Sequence, residues 1–536
     1  MNNNKPSYYL TTPIYYVNGE PHLGTAYTTI AADTLARFKR MQGFDVKFLT
    51  GLDEHGQKVA DNAAAAGVSP KEWCDRLAPK FTDLWQALNI SNDDFIRTTE
   101  ERHTRAVQRF YEAMQEGGYL RKDTYKGWYC VHEETFYTDE ELHQAGHADD
   151  HLCPDCGRPL EFDEEENLFF KLSEFEQPLL DFYAAHSDFI QPETRRNEVL
   201  SFVKGGLKDL SVSRTSFDWG VPIPFAEGHV SYVWFDALIN YLTAVGYGDP
   251  DSQAAAEFAR RWPAQVHFVG KDIIRFHCVI WPAMLMAAGL PVPERVFAHG
   301  FLLTKGEKMS KSRGNAMSPT DLCALLGGGL LPDGSLPPAG VDAYRYYFLS
   351  DVQFGADGQI SLERMLQVYN ADLANSWGNL VSRVLSMTKK YFEGKVPETA
   401  VGIDNSLAQI AAGLYDKVSQ AMDAIDYSGA CAAVMELVDA ANGYIENEAP
   451  WALAKAGDAA KLAQVMYALL ESVRLIALYF AAIMPSTSAD VWGRLDLSDV
   501  TKADLKAESA WGLLPAGNQT KVGQPLFQRL KESDVL

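Results

Sequence analysis

The sequence predicts an α/β protein: a parallel-sheet domain interrupted by an insertion and followed by an all-α helical bundle. Three observations carry this reading. An apolar strand, an amphipathic helix and a second apolar strand succeed one another between Tyr8 and Leu49, the pattern of a βαβ unit. Sheet-like runs return at residues 230–235 and 265–270, after an acidic, cysteine-bearing stretch that resembles neither flank. From Leu362 to Phe480 the chain holds long, Ala-rich amphipathic patterns with no strand signal, as a helical bundle requires.

The first strand, Tyr8 to Tyr16, runs into the turn Asn18-Gly19-Glu20-Pro21. A helix opens at His22-Leu23-Gly24-Thr25, lines up Tyr27, Ile30, Ala31, Leu35, Phe38 and Met41 on one side, and stops at Gly43. The second strand, Val46 to Leu49, leads to the polar crest Gly51-Leu52-Asp53-Glu54-His55-Gly56. Ligands of open α/β sheets sit at such carboxyl ends of strands. Helical patterns follow through Trp73, Phe81 and Trp85, and from Glu100 to Gly117. The turn-rich, acidic segment from about Tyr119 to Val221 is read as an insertion splitting one domain. The predicted units are 1–118 and 225–318 (sheet domain), 119–224 (insertion), 319–361 (link) and 362–536 (bundle). Gly327-Gly328-Gly329 to Pro337-Pro338 reads as a flexible loop.

A chain of 536 residues exceeds the size of a single core, so two to four domains are expected. With no signal segment and no run of about 18 apolar residues, a soluble, cytoplasmic protein without a membrane partner is expected. Seven scattered cysteines argue against a disulfide framework; only Cys153 and Cys156 form a tight pair. The net charge of −23 works against a global nucleic-acid footprint. The acid is concentrated, however: residues 133–166 carry thirteen Asp and Glu against one Arg158. The loop from Lys305 to Arg313 is basic, so a local patch suffices for an RNA partner.

Two segments point to phosphate chemistry. Lys308-Met309-Ser310-Lys311-Ser312 places two lysines on a loop between Gly306 and Gly314, suited to neutralising a departing pyrophosphate. His22-Leu23-Gly24-Thr25 opens a helix, whose free N–H groups and positive dipole end suit a phosphate. In this order the pair resembles the paired signatures of class I aminoacyl-tRNA synthetases. Thr12-Pro13-Ile14-Tyr15-Tyr16, Phe48 to Gly56, Tyr232 to Ala237, Gly270-Lys271-Asp272-Ile273 and Trp281-Pro282 extend the match. Over nearly the whole chain the resemblance is to the methionyl-tRNA synthetase family.

That resemblance implies a Rossmann-like catalytic domain split by a connective insertion, followed by an all-α anticodon-binding domain. It implies ATP with Mg2+, L-methionine and a methionine-accepting tRNA as ligands, with no protein partner. His22, Gly24, Thr25, Gly270, Asp272, Lys308 and Lys311 would contact ATP, with His22, Lys308 and Lys311 acting in catalysis. The fourth position of the first signature is usually His, so Thr25 departs from the family; its hydroxyl can donate to phosphate but carries no charge. Asp53 would anchor the methionine ammonium. Ile14, Tyr16, Trp234, Ala237, Leu238, Tyr241, Ile273, Phe276, His277 and Trp281 would surround the thioether, which aromatic rings favour. From spacing alone Trp234 and Trp281 read as core. Asn379, Arg383 and Trp451 would read the anticodon by edge hydrogen bonds and stacking, although spacing alone makes Asn379 and Arg383 an ordinary polar helix face.

The family commonly carries zinc knuckles in the insertion. Here Cys153-Pro154-Asp155-Cys156-Gly157 is half a knuckle, and Cys130-Val131-His132-Glu133 supplies one further Cys. Two readings stay open: a zinc site of Cys130, Cys153, Cys156 and a fourth ligand (Glu133, or His132, His143, His147 or His151), or a decayed knuckle without metal. Two other functions stand as alternatives: a non-catalytic RNA-binding paralogue, supported by Thr25, and a ligase for cysteine, isoleucine or valine. Against the first stand His22, Asp53, Lys308 and Lys311; against the second, the lack of room for a large editing insertion and the position of the Cys pair. Because no β-barrel-length segment comes after Gln524-Pro525-Leu526-Phe527, a monomer is expected.

Overall fold

The structure is a computed structural model that describes residues 5–131, 135–137, 139–147, 149–304, 307–308, 318–399 and 405–531. Its centre is a six-stranded parallel sheet. The spatial order is Asp94–Arg97, Asp45–Asp53, Ser7–Tyr16, Val266–Gly270, Val296–His299, Ile190–Gln191. Every pairing is parallel. The strand order reverses beside Ser7–Tyr16, the position at which open α/β sheets bind ligands. Alternation along the strands fills both faces: Tyr8, Leu10, Phe48 and Phe268 enter one apolar core, and Tyr9, Leu49 and Val269 enter the other.

The stretch expected to be an insertion divides in two. Residues 120–170 form a long antiparallel hairpin, Leu120–Cys130 against Glu161–Phe170, flanked by Thr135–Tyr137 and Leu210–Ser211. Within 119–224, however, Ile190–Gln191 returns to the central sheet as its edge strand beside Val296–His299. The strand expected over 230–235 is also revised. Only Val230–Ser231 is extended, and Val233–Leu238 is a helix. Its aromatic, β-branched residues are buried on several sides, and burial overrides their strand preference.

The C-terminal part is a bundle of helices, among them Asn379–Phe392, Tyr427–Glu448 and Ala459–Phe480. Ala459–Phe480 is long and apolar enough to cross a membrane, although no such run was expected; 89% of its most apolar stretch lies buried inside the protein. Glu471 and Arg474 within it pair at 2.6 Å, and Glu471 also accepts the N–H groups of Gly512 and Leu513. One apolar core runs without a break from Tyr8 and helix Leu23–Met41 into the bundle as far as Phe527. The 327–340 stretch contains turns and the exposed Leu330 and Leu331, and it ends in helix Pro338–Ser350.

Candidate active site

Strand ends bring the predicted site residues together. Tyr16 and Asp53 are register partners at the carboxyl edge, and Gly270 pairs with His299 one strand beyond. Between them helix Leu23–Met41 starts at His22. The His22 ring, as N-cap, accepts the Gly24 N–H at 3.0 Å. A Cβ on Gly24 would lie 3.0 Å from the His22 ring, so the cap needs glycine or a displaced ring.

Thr25 is engaged with the backbone at the helix start. Its Oγ1 accepts the His22 N–H at 2.9 Å and donates to the His22 carbonyl at 2.7 Å. The single hydroxyl hydrogen is directed to the backbone here. Thr25 closes a capping box, with Thr replacing the more usual Glu or Gln. Strand and helix are clamped alongside: Tyr15 Oη meets Thr29 Oγ1 at 2.7 Å and donates to the Thr25 carbonyl at 3.2 Å.

His299 was not anticipated. Its Nδ1 donates to the Gly300 carbonyl at 2.8 Å, which leaves Nε2 to accept from the Thr28 hydroxyl at 2.6 Å. Burial keeps its pKa below the usual histidine range, so a neutral ring joins the helix start to the sheet edge beside Gly270. Asp272 follows Gly270 on the exposed rim, and a Cβ on Gly270 would collide with its carboxylate. Lys308 lies in a short strand, Glu307–Lys308, paired with Leu303 and Thr304. Lys311 lies outside the described residues.

Most of the residues expected to form a slot around the methionine side chain lie on or beside Val233–Leu238 and the wide helical turn Phe276–Ile280, an irregularity common at functional sites. Trp234 and Phe276 stack at 3.8 Å and 11°, and both are half-buried. Ile14, Tyr16 and Ile273 are also half-buried at the edge of this cluster. Tyr241 Oη meets His277 Nε2 at 2.7 Å, while His277 Nδ1 donates to the Ile273 carbonyl at 3.0 Å. His277 is therefore neutral and accepts from the tyrosine; burial lowers its pKa to about 4. Ala237, Leu238 and Trp281 are fully buried. Leu238 and Trp281 back the slot as core.

A buried polar chain behind Asp53 was also missed. Glu54 accepts from Arg97 Nε at 2.6 Å and from Thr99, while its carbonyl accepts Trp219 Nε1 at 2.6 Å. His55 Nδ1 and His103 Nε2 donate to the two oxygens of Asp236 at 2.7 and 2.6 Å. Burial pushes the Asp236 carboxyl up, but His55 and His103 outweigh it and bring it down to about 2.

The three thiols of Cys130, Cys153 and Cys156 lie within 4.8 Å of one another. Positive φ at Gly157 and a Gly157 N–H to Cys153 carbonyl bond of 2.8 Å shape the knuckle turn. No described His, Asp or Glu joins this cluster. His147 bonds Asp150 and His151 stacks on Trp128 at 3.8 Å; His132 and Glu133 lie outside the described residues.

In the bundle, Asn379 opens its helix exposed, and Arg383 pairs with Glu446 at 2.6 Å. Trp451 is 45% exposed. Pro450 starts its helix, and Ala449 at φ 43° makes the sharp turn from Tyr427–Glu448 that presents it.

A family model described as tRNA synthetases class I (M) matches residues 8–385, and one for the anticodon binding domain of methionyl tRNA ligase matches 396–536. The methionine–tRNA ligase of Thermotoga maritima is 46% identical over 98% of this chain and 81% of its own length. That of Thermosynechococcus vestitus is 43% identical, covering 98% of both chains. Mycobacterium tuberculosis methionyl-tRNA synthetase in complex with methionyl-adenylate superposes with a TM-score of 0.90 at 43% identity, over 98% of this chain and 100% of that one.

Proposed function

The chain belongs to the methionyl-tRNA synthetase family and is a methionine–tRNA ligase, and we propose a role for each part of its site. The methionine carboxylate attacks the α-phosphate of ATP, pyrophosphate leaves, and the activated methionine passes to the 3′ end of its tRNA. A carboxylate needs no general base, so the first step rests on placement and charge. Asp53 holds the ammonium group. Trp234, Phe276 and the Tyr241–His277 pair flank the thioether. The start of helix Leu23–Met41, with His22, receives phosphate. Gly270 and Asp272 contact the nucleoside, and Lys308 and Lys311, with Mg2+, balance charge on the departing pyrophosphate.

The observation that supports this most is that Asp53 and Gly270 end the two strands flanking Ser7–Tyr16 at the reversal of the sheet, while His22 caps the helix that follows Ser7–Tyr16. ATP–pyrophosphate exchange measured with each of the twenty amino acids tests it. Exchange with methionine alone is expected; no exchange with any amino acid would favour a non-catalytic RNA-binding protein.

Asn379, Arg383 and Trp451 would meet the anticodon. Three clustered thiols suit a soft, tetrahedral ion, and Cys130, Cys153 and Cys156 would hold one structural zinc that braces the knuckle. Seven free cysteines suit a reducing, cytoplasmic setting.

A further inference from the structure

We propose that His55 is a positioning residue for methionine: through Asp236 it fixes the Asp53 loop against the helix that carries Trp234. This deepens the reading of Asp53 as the ammonium anchor and rests on it.

Asp53 is the last residue of its strand, and Gly56, at φ 100°, turns the chain into helix Gln57–Ala65. Beyond the ladder, the Asp53 carbonyl accepts the Val17 N–H at 3.2 Å and Gly56 N–H donates to the Trp219 carbonyl at 3.2 Å. Between these two backbone bonds, side chains hold residues 54 and 55 in place. Glu54 fastens one flank to Arg97 at 2.6 Å. His55 fastens the other by donating to Asp236 at 2.7 Å. Asp236 is wholly buried on helix Val233–Leu238, two residues after Trp234 and directly before Ala237. One carboxylate therefore spans the two walls of the slot, the one carrying the ammonium anchor and the one carrying the aromatic stack.

The second oxygen of Asp236 accepts from His103 at 2.6 Å, and His103 in turn meets Thr243 at 3.0 Å. A carboxylate only accepts, so both rings present N–H to it, and each oxygen is oriented by a different helix or loop. The Trp219 ring lies edge-on to His55 at 5.5 Å, and its indole N–H holds the Glu54 carbonyl. His55 thus has little freedom to turn away. A fully satisfied network of this kind fixes geometry more firmly than an apolar contact does. Reactive alignment is sensitive to displacements of about 1 Å, which cost up to about a hundredfold.

His55→Ala removes the link without substituting Asp53, Trp234 or Asp236. His55→Asn restores an N–H donor close to the position of Nδ1. In ATP–pyrophosphate exchange, His55→Ala is expected to raise KM for methionine roughly tenfold or more, with KM for ATP within about twofold of wild type. His55→Asn should recover most of the loss. Circular dichroism of each variant guards against unfolding, and Asn recovery separates the donor from bulk packing. Competition by 4-(methylthio)butanoate, which is methionine without its ammonium group, completes the test. Wild type should prefer methionine strongly and His55→Ala much less so. An alanine variant with unchanged methionine KM, parallel rises in both KM values, or an asparagine variant no better than alanine would overturn the proposal. Absence of any preference for methionine in the wild type would instead overturn the role of Asp53.

Discussion

Thr25→Ala isolates what the hydroxyl does at the phosphate end of the site. Thr25 makes two hydrogen bonds to one residue, accepting the His22 N–H at 2.9 Å and donating to its carbonyl at 2.7 Å. His22 is exposed, so water replaces part of what is lost, and each bond lies near the low end of about 0.5–1.5 kcal/mol. Loss of a cap partner costs about 1 kcal/mol by a separate route. The two routes agree on roughly 1 kcal/mol of disorder placed on His22 and the first helical turn. Since about 1.4 kcal/mol is a factor of ten in rate, kcat/KM for ATP in pyrophosphate exchange should fall about fivefold. KM for methionine should stay put, because Thr25 touches none of the slot. Thr25→Ser keeps the hydroxyl and should behave as wild type. An alanine variant with full activity, or a serine variant as poor as alanine, would refute the reasoning. Thr25→His should retain exchange, trading the cap for a ring that can donate to phosphate; complete loss would mean that the site is arranged around threonine.

Trp451→Ala should lower aminoacylation about tenfold or more, in line with a lost base stack, while exchange stays near wild type; equal loss of both would remove the anticodon role. Purified protein should contain close to one zinc per chain, detected by elemental analysis, and Cys153→Ser should lose it; a zinc-free, fully active preparation would sink the metal reading. His277 supplies a pH dependence of stability. Its folded pKa of about 4 lies below the ordinary 6.5, so between these values the unfolded chain binds the extra proton. The stabilisation is full above about pH 6.5 and is lost as pH falls toward 4, at about 1.4 kcal/mol per unit. Thermal midpoints at about pH 7 and pH 5 should differ less in His277→Gln than in wild type; an identical difference would count against a neutral buried His277.

Residues that announce themselves by local pattern were legible in the sequence, and residues that act through distant partners were not. His22, Asp53 and Gly270 stand where an apolar strand gives way to polar or glycine residues, and the structure sets Asp53 and Gly270 at strand ends and His22 at a helix start. The Asp236 contacts span 181 residues to His55 and 133 to His103, and no local period encodes such a meeting. Ile190–Gln191 is too short to give a strand signal, and its place at the sheet edge comes from Val296 and Phe297. Val233–Leu238 misled because buried aromatics look alike in a strand and in a short helix. The second role of Thr25 was not legible: its type read as a phosphate donor, and only the structure shows that its hydroxyl, three residues after the cap, also closes on the cap's own backbone.

Helix Leu23–Met41 joins these observations physically. Its first turn carries His22 and Thr25, and its later turns carry the bundle. Tyr427 Oη donates to the Ala31 carbonyl at 2.6 Å, and Lys39 pairs with Asp423 at 2.6 Å. Between them, wholly buried Arg345 donates to Asp33 at 2.7 Å and to the Ile483 carbonyl at 2.8 Å. Asp33 also binds Ser91 and Arg37, and the surrounding cations hold its carboxyl far below the usual range against the pull of burial. Breaking such a pair strands a buried charge at a cost of about 3–5 kcal/mol. The helix is thus fixed to the bundle along its later turns, and at its start it is fixed to the sheet through Tyr15 and His299. It is therefore the element that ties the bundle rigidly to the sheet edge carrying the candidate phosphate site, so loosening the Asp33–Arg345 pair should disturb both.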